Sequence, residues 1–194
     1  VPIGGTYLGI YSRQEGADDF FQLSNTDVVF NGSNEVRGLV GVRYDGNVNT
    51  PVDALGQTTL NGDVVFYNNV YSNRFEINPG ADVTFYGRVD GDTSTIIDLN
   101  SSNSDITFAG QSSVLDGSIE KDDDTFNSSV FVDGSLTVTG SVVGTGSSSL
   151  SLFQVDGGSG YTVEINGNLA TSQLDYAAAT RVEVDVNIYL DRDT

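Results

Sequence analysis

The chain has 194 residues, enough for one domain with a hydrophobic core, and it carries a net charge of -19 at pH 7. This acidic excess argues against binding to nucleic acid or to anionic membrane surfaces, and no apolar run approaches the roughly 20 residues of a membrane span, so no membrane insertion is expected. His and Cys are absent, which excludes Ser-His-Asp triads, cysteine nucleophiles, disulfides and zinc sites built on imidazole or thiolate ligands.

Residues 1–26 precede the repetitive part of the chain, and we expect them to form an N-terminal cap or interface segment. A short phrase then recurs: Asp, aliphatic, variable, Phe, variable, usually Gly. Its strong copies begin at residues 27, 63, 82 and 105, at intervals of 36, 19 and 23 residues, the first interval being close to twice 18. A weaker copy begins at Ser135. Self-similarity near twenty residues is typical of stacked repeats, so we predict a repeat body over residues 27–168.

The phrase predicts which side chains face the core, because successive side chains on a strand point to opposite faces. Its aliphatic residue and its Phe would face inward, so that stacked copies form an aliphatic ladder beside a phenylalanine ladder. The predicted inward set is Val28, Phe30, Val64, Phe66, Val83, Phe85, Ile106 and Phe108. The residue after each Phe would face outward, which makes Tyr67 and Tyr86 neighbours on adjacent coils.

Asx-Gly pairs punctuate the chain, and they fit two folds. In a parallel β-solenoid such a pair forms the corner between strands of one coil, whereas in an antiparallel β-sandwich or jelly roll it forms a hairpin turn. The repeated phrase with its in-register ladder favours an all-β parallel β-solenoid with atypical terminal strands. The irregular intervals keep the sandwich open as the alternative.

The C-terminal segment, residues 169–194, departs from the repeat but belongs to the same single domain, residues 1–194. It is predicted to contain a short helical stretch around Ala177–Ala179, followed by one alternating strand. The apolar residues of this strand share one face and form a candidate interface: Val182, Val184, Val186, Ile188 and Leu190. We expect the strand to cap the stack or to add to the sheet edge of a neighbouring subunit.

Acidic turns offer candidate ligands for calcium, which takes carboxylate and carbonyl oxygens. The candidates are Asp90 with Asp92, and Asp122 with Asp123 and Asp124. No cofactor is required by the sequence, and calcium is the one that it suggests. Solvated turns are the simpler interpretation of these carboxylates.

Tyr67 and Tyr86 are the candidate ligand-binding residues. Stacked surface tyrosines can bind the faces of sugar rings, anchor a subunit interface or stabilise the sheet by packing across strands. The first possibility predicts a carbohydrate-binding adhesin module, and the other two predict a structural role.

The phrases at residues 82–87 and 134–140 resemble the coils of bacterial autotransporter-type β-helix passengers and the shafts of phage tail fibres and spikes. The resemblance implies an elongated protein exposed on a virion or outside the cell, with repeated packing surfaces.

We therefore predict a non-enzymatic structural subunit of a virion-surface or extracellular assembly, such as a fibre, a filament or a decorated shell. Its partners would be copies of itself or other coat and surface proteins, with glycans as partners in the adhesin alternative. A polysaccharide hydrolase or lyase that uses paired carboxylates is the remaining alternative.

Overall fold

The computed structural model describes residues 27–37, 40, 54–91, 93–99, 103–121, 127–143, 149–156, 160–176, 180–185 and 187–190. These ranges contain β-strands and no helix. The strands are β1 (Val28–Phe30), β2 (Asn34–Val36), β3 (Leu55–Leu60), β4 (Val64–Phe66), β5 (Val70–Ile77), β6 (Val83–Phe85), β7 (Val89–Asp90), β8 (Thr95–Leu99), β9 (Asp105–Phe108), β10 (Ser112–Leu115), β11 (Gly117–Glu120), β12 (Ser129–Val132), β13 (Ser135–Val138), β14 (Leu152–Val155), β15 (Thr162–Ile165), β16 (Leu169–Thr171), β17 (Leu174–Tyr176), β18 (Arg181–Val184) and β19 (Ile188–Leu190).

These strands form three faces, and every pairing between them is parallel. Face A is a row of seven strands in the order β2, β4, β6, β9, β12, β14, β17. Face B contains β1, β3, the second half of β5, β8 and β11, and further along the stack β16 and β19. Face C contains the start of β5, then β7, β10, β13, β15 and β18.

From β4 onward the chain visits face A, then face C, then face B, and returns to face A one strand further along the stack. We call one such circuit a coil. Coils joined by parallel ladders make a β-solenoid, which confirms the fold predicted from the repeat. The antiparallel sandwich is wrong, because the strands of the described ranges pair in parallel throughout.

The core is the interior of the solenoid, and phenylalanine rings fill its first half. On face A, Phe66, Phe85 and Phe108 are stacked in register, with ring centroids 5.5 Å and 5.7 Å apart. Phe75 from face B meets Phe66 and Phe85 edge-on, at centroid distances of 6.1 Å and 5.5 Å. Offset stacks and edge contacts are the favoured geometries of aromatic pairs, so the predicted phenylalanine ladder is present from β4 to β9.

Two copies of the phrase lie outside that ladder, which corrects the predicted register. The first copy forms β1 on face B, paired with β3, and β2 occupies the equivalent place on face A. Phe30 still reaches the ladder, edge-on to Phe66 at 5.7 Å. The weaker fifth copy is β13, on face C. The 36-residue interval between the first two copies therefore contains one full coil and one further face. This offset is possible because the phrase specifies only a buried strand, and a buried strand can belong to any face.

The Asp that opens each strong copy has one role in all of them. Its carboxylate accepts a hydrogen bond from the backbone N–H at the matching position in the next coil. The pairs are Gln57 N to Asp27 Oδ1 at 2.9 Å, Asp82 N to Asp63 Oδ1 at 3.1 Å, Asp105 N to Asp82 Oδ1 at 2.9 Å and Ser129 N to Asp105 Oδ1 at 3.0 Å. This aspartate ladder ties consecutive coils together outside the core.

Glycine after the strand allows the corners of neighbouring coils to approach closely. A Cβ added to Gly110 would lie 2.4 Å from the carbonyl oxygen of Tyr86, and one added to Gly134 would lie 2.3 Å from that of Gly110. Backbone atoms cannot give way as a flexible side chain can, so the corner requires glycine at these positions.

The C-terminal part differs from its prediction. Residues 169–176, expected to lead into a helical stretch, form β16 and β17, while Ala177–Ala179 lie outside the described residues. The single strand predicted after them is two strands, β18 on face C and β19 on face B. The order of these two strands, face C and then face B, is that of the preceding coils. The predicted N-terminal segment, residues 1–26, also lies outside the described residues. None of the described residues belongs to a helix that is long and apolar enough to span a membrane.

Candidate functional site

The predicted tyrosine pair forms an ordered stack on the outside of face A. Tyr67 follows β4 and Tyr86 follows β6, and the backbone N–H of Tyr86 donates to the carbonyl oxygen of Phe66. Their ring centroids are 5.2 Å apart with an interplanar angle of 15°, close to the spacing of about 4.8 Å between neighbouring strands. The rings therefore stack along the solenoid axis. The two residues are 41% and 44% exposed.

Arg37 closes the other end of this stack. It follows β2, one coil before Tyr67, and its guanidinium carbon lies 5.1 Å from the centroid of the Tyr67 ring. The same guanidinium donates to Glu35 at 2.9 Å. Both faces of Tyr67 are thus covered, by Arg37 on one side and Tyr86 on the other. Of the two rings, only that of Tyr86 has a face that no other member of this stack covers.

In the following coils, the outward positions in register with Tyr86 carry side chains that are not aromatic. We call this row of matching positions a column. The residues at the matching position of the following coils are Ala109, Asp133 and Asp156, in that order, as their backbone hydrogen bonds to the preceding strands show. Ala109 is too small to continue the stack. The exposed carboxylate of Asp133 lies one coil further on.

The neighbouring outward column adds one more aromatic group, Phe131. It is half-buried, in register with Thr107 of the preceding coil and Gln154 of the following one. Arg37, Phe131 and Asp133 were not identified from the sequence as site residues. The alternation of Phe131 between the inward residues Val130 and Val132 was the available signal, but only the register of face A shows which coils lie beside Tyr86.

Both carboxylate oxygens of Asp90, a calcium candidate, accept hydrogen bonds from groups of the same chain. It is 5% exposed, one carboxylate oxygen accepts from Arg88 Nε at 2.8 Å, and the other accepts from the backbone N–H of Gly91 at 2.8 Å. Arg88 also bonds Asp116 of the next coil at 2.8 Å, and Asp116 in turn accepts from the hydroxyl of Thr139. The carboxylate of Asp90 therefore belongs to an ion-pair network that links coils.

Burial lowers the pKa of Arg88, but the hydrogen bond to Asp90 and the charges of Asp90 and Asp116 outweigh burial, so this pKa lies above the ordinary arginine value. The guanidinium stays charged at any physiological pH. The other calcium candidates, Asp92 and Asp122 to Asp124, lie outside the described residues. Within the described ranges, no group of three or more carboxylates converges on a point where a metal ion could bind.

The C-terminal interface candidates fall on two different faces. Val182 and Val184 of β18 are partly buried and pack against the core, whereas Ile188 of β19 is 46% exposed. Val186 lies outside the described residues, and the side chain of Leu190 is likewise not described. Val182 and Val184 therefore do not share a face with Ile188.

Acidic side chains outnumber basic ones in this protein. Each cation in the described ranges contacts an acceptor of the same chain. These contacts are Arg37 with Glu35, Arg74 with Asp98, Arg88 with Asp90 and Asp116, Arg181 with Glu183, and Lys121 with the carbonyl oxygen of Ser149. The whole chain has 27 acidic residues and 8 basic ones. The surplus of carboxylates gives the outside of the solenoid a negative potential that attracts cationic ligands.

No family model, curated protein or solved structure matches this chain.

Proposed function

We propose that the protein is a non-enzymatic structural subunit of an extracellular or virion-surface assembly. The observation that carries this proposal is the continuous parallel ladder of face A, which runs through seven strands. The carboxylates of the aspartate ladder and the ion pairs of Arg88 hold neighbouring coils together, which supports a structural role. A stack of this kind is a stiff spacer with repeated lateral surfaces, which suits a fibre, a filament or a shell.

We place the contact between subunits at the end formed by β17, β18 and β19. Each of these strands is paired on one side only within the described ranges. Tyr176 and Ile188 are 55% and 46% exposed there. An unpaired strand edge with exposed apolar side chains is a template for pairing with another chain, so the partner is a second copy or another coat protein.

Light scattering on the purified chain, with calcium and with a chelator, tests the proposal. We expect a defined oligomer or regular filaments, and dissociation by the chelator would show that calcium holds the subunits together. Ile188→Lys should shift the assembly toward single chains, because it places a charge at the exposed edge. Thr137→Lys, on the outer side of β13 in the middle of face C, is the matched control and should assemble normally.

Two results would contradict the proposal. One is a mass of 20.6 kDa, that of a single chain, under every condition and concentration. The other is the release of reducing ends from a panel of polysaccharides, provided that Asp-to-Asn substitutions abolish that activity.

A further inference from the structure

The strand register on the outside of face A places small side chains directly after Tyr86, where the aromatic stack stops, and larger ones one coil further on. We define the Tyr86 slot by Tyr86, Thr107, Ala109, Phe131 and Asp133. The ring face of Tyr86 is one wall, and Thr107 and Ala109 form the floor. Phe131 and Asp133, one coil beyond this floor, form the other wall. Two strand spacings separate the walls, about 9.6 Å between their planes, which leaves room for one flat group once the thickness of the walls is subtracted.

A contact within the protein indicates which chemical group stacks on a tyrosine of this column. At the opposite end of the same stack a guanidinium, that of Arg37, lies over the Tyr67 ring, with 5.1 Å between its central carbon and the ring centroid. Guanidinium groups are flat, stack on aromatic faces and are attracted by the ring quadrupole. The free face of Tyr86 offers the same surface without a partner from the next coil, since Ala109 has only a methyl group.

The carboxylate of Asp133 differs from its neighbour in the column. At Asp156, the side chain two residues earlier is Gln154, whose amide nitrogen donates to both carboxylate oxygens, at 2.7 Å and 2.8 Å. At Asp133 the corresponding residue is Phe131, which has no hydrogen-bond donor to offer. The exposed carboxylate of Asp133 is thus available to accept a charged hydrogen bond from an incoming guanidinium.

We propose that the Tyr86 slot binds the guanidinium group of an arginine side chain presented by a partner polypeptide. The group would stack on Tyr86, rest over Ala109 and donate to Asp133, with Phe131 covering its far side. The net charge of -19 attracts a basic partner. A neutral sugar would use the aromatic face but not the charge. The proposal concerns recognition on the side of the solenoid and holds whether or not the ends assemble.

The test is a titration of the full chain with blocked arginine, N-acetyl-arginine amide, at physiological salt. The readout is the NMR shifts of the Tyr86 ring and of the Ala109 and Asp133 amides. Blocked citrulline keeps the flat shape without the charge, and blocked lysine keeps the charge without the plane. We expect arginine to bind at least about tenfold more tightly than either, because stacking on Tyr86 requires the flat group and the interaction with Asp133 requires the charge.

Variants separate the slot from the general acidity of the surface. Asp133→Asn and Tyr86→Leu should each weaken arginine binding about tenfold, and Ala109→Leu should abolish it by filling the slot. Asp156→Asn removes the same charge one coil further on and should change the affinity less than about twofold, because exposed charges at that distance are screened by salt. Circular dichroism on each variant verifies the fold.

Three outcomes would overturn the proposal. If Asp133→Asn and Asp156→Asn lowered the affinity for arginine equally, binding would depend on the net charge of the surface and not on the slot. Binding of methyl glucoside without binding of arginine would make the slot a sugar site. Absence of arginine-induced shifts at Tyr86, in a chain shown to be folded, would leave the stack as cross-strand packing alone.

Discussion

The aspartate ladder can be tested at Asp82, where the structure separates two opposing effects. The carboxylate accepts one hydrogen bond from the backbone N–H of Asp105 at 2.9 Å, and it stands in register between the carboxylates of Asp63 and Asp105. Asp82→Asn keeps an acceptor oxygen in place and removes the charge. Asp82→Ala removes both.

The magnitudes follow from these contacts. One hydrogen bond contributes about 1 kcal/mol net to the free energy of unfolding, and a like-charge pair directly across strands costs about 0.2–1 kcal/mol. Asp82→Asn should therefore be more stable than the wild type, and more stable than Asp82→Ala by about 1 kcal/mol. For a chain of this length that difference corresponds to about 2–4 °C in the melting temperature.

The pH dependence has a defined sign. Although Asp82 is exposed as a residue, its carboxylate lies against the next coil, and this partial burial raises its pKa. The hydrogen bond from the Asp105 N–H lowers the pKa, while the charges of Asp105 and Asp63 raise it further, and the net direction is upward. The folded state thus binds this proton more tightly than the unfolded state. The contribution of Asp82 to stability is greatest below its unfolded-state pKa and is lost as the pH rises through the raised folded-state value.

Asparagine does not titrate, so the advantage of Asp82→Asn over the wild type should be smallest in acid. It should grow across the same pH interval and stay constant above it. Thermal melts of the wild type and both variants, recorded by circular dichroism over a pH series, measure this difference. The reasoning would be refuted if Asp82→Asn lost as much stability as Asp82→Ala, or if its advantage did not change with pH.

Two further substitutions test the interior and the ion-pair network. Phe85→Ala should lower the free energy of unfolding by about 3–5 kcal/mol in denaturant titration, because this fully buried ring contacts three other phenylalanines; Thr84→Ala, on the outer side of the same strand, should have a small effect. Arg88→Met should lower the free energy of unfolding by about 3–5 kcal/mol, because it leaves the carboxylate of Asp90 buried without its cation. Adding Asp90→Asn should recover part of that loss. Equal stability of the single and the double variant would exclude this mechanism.

The sequence by itself determined the fold class and the environment of most repeat residues. An aliphatic residue and a Phe at alternating positions can both be buried only on a strand, and their return at coil-length intervals requires stacking. Phe66, Phe85 and Phe108 were therefore placed correctly in one inner ladder, and Tyr67 beside Tyr86 on the outside. Side-chain alternation is a local property of the backbone, so it can be read without knowing the partner strand.

Only the tertiary structure decided which face each strand occupies. The phrase at residue 27 lies on face B and the phrase at Ser135 on face C, because a buried strand with a tight turn fits any face and the lengths of the connections set the register. The neighbours of Tyr86 depend on that register. Ala109, Asp133 and Phe131 are 23 to 47 residues away in the chain, and stacking of the coils brings them to one surface. The Tyr86 slot is therefore a product of coil stacking, and no local pattern in the sequence encodes it.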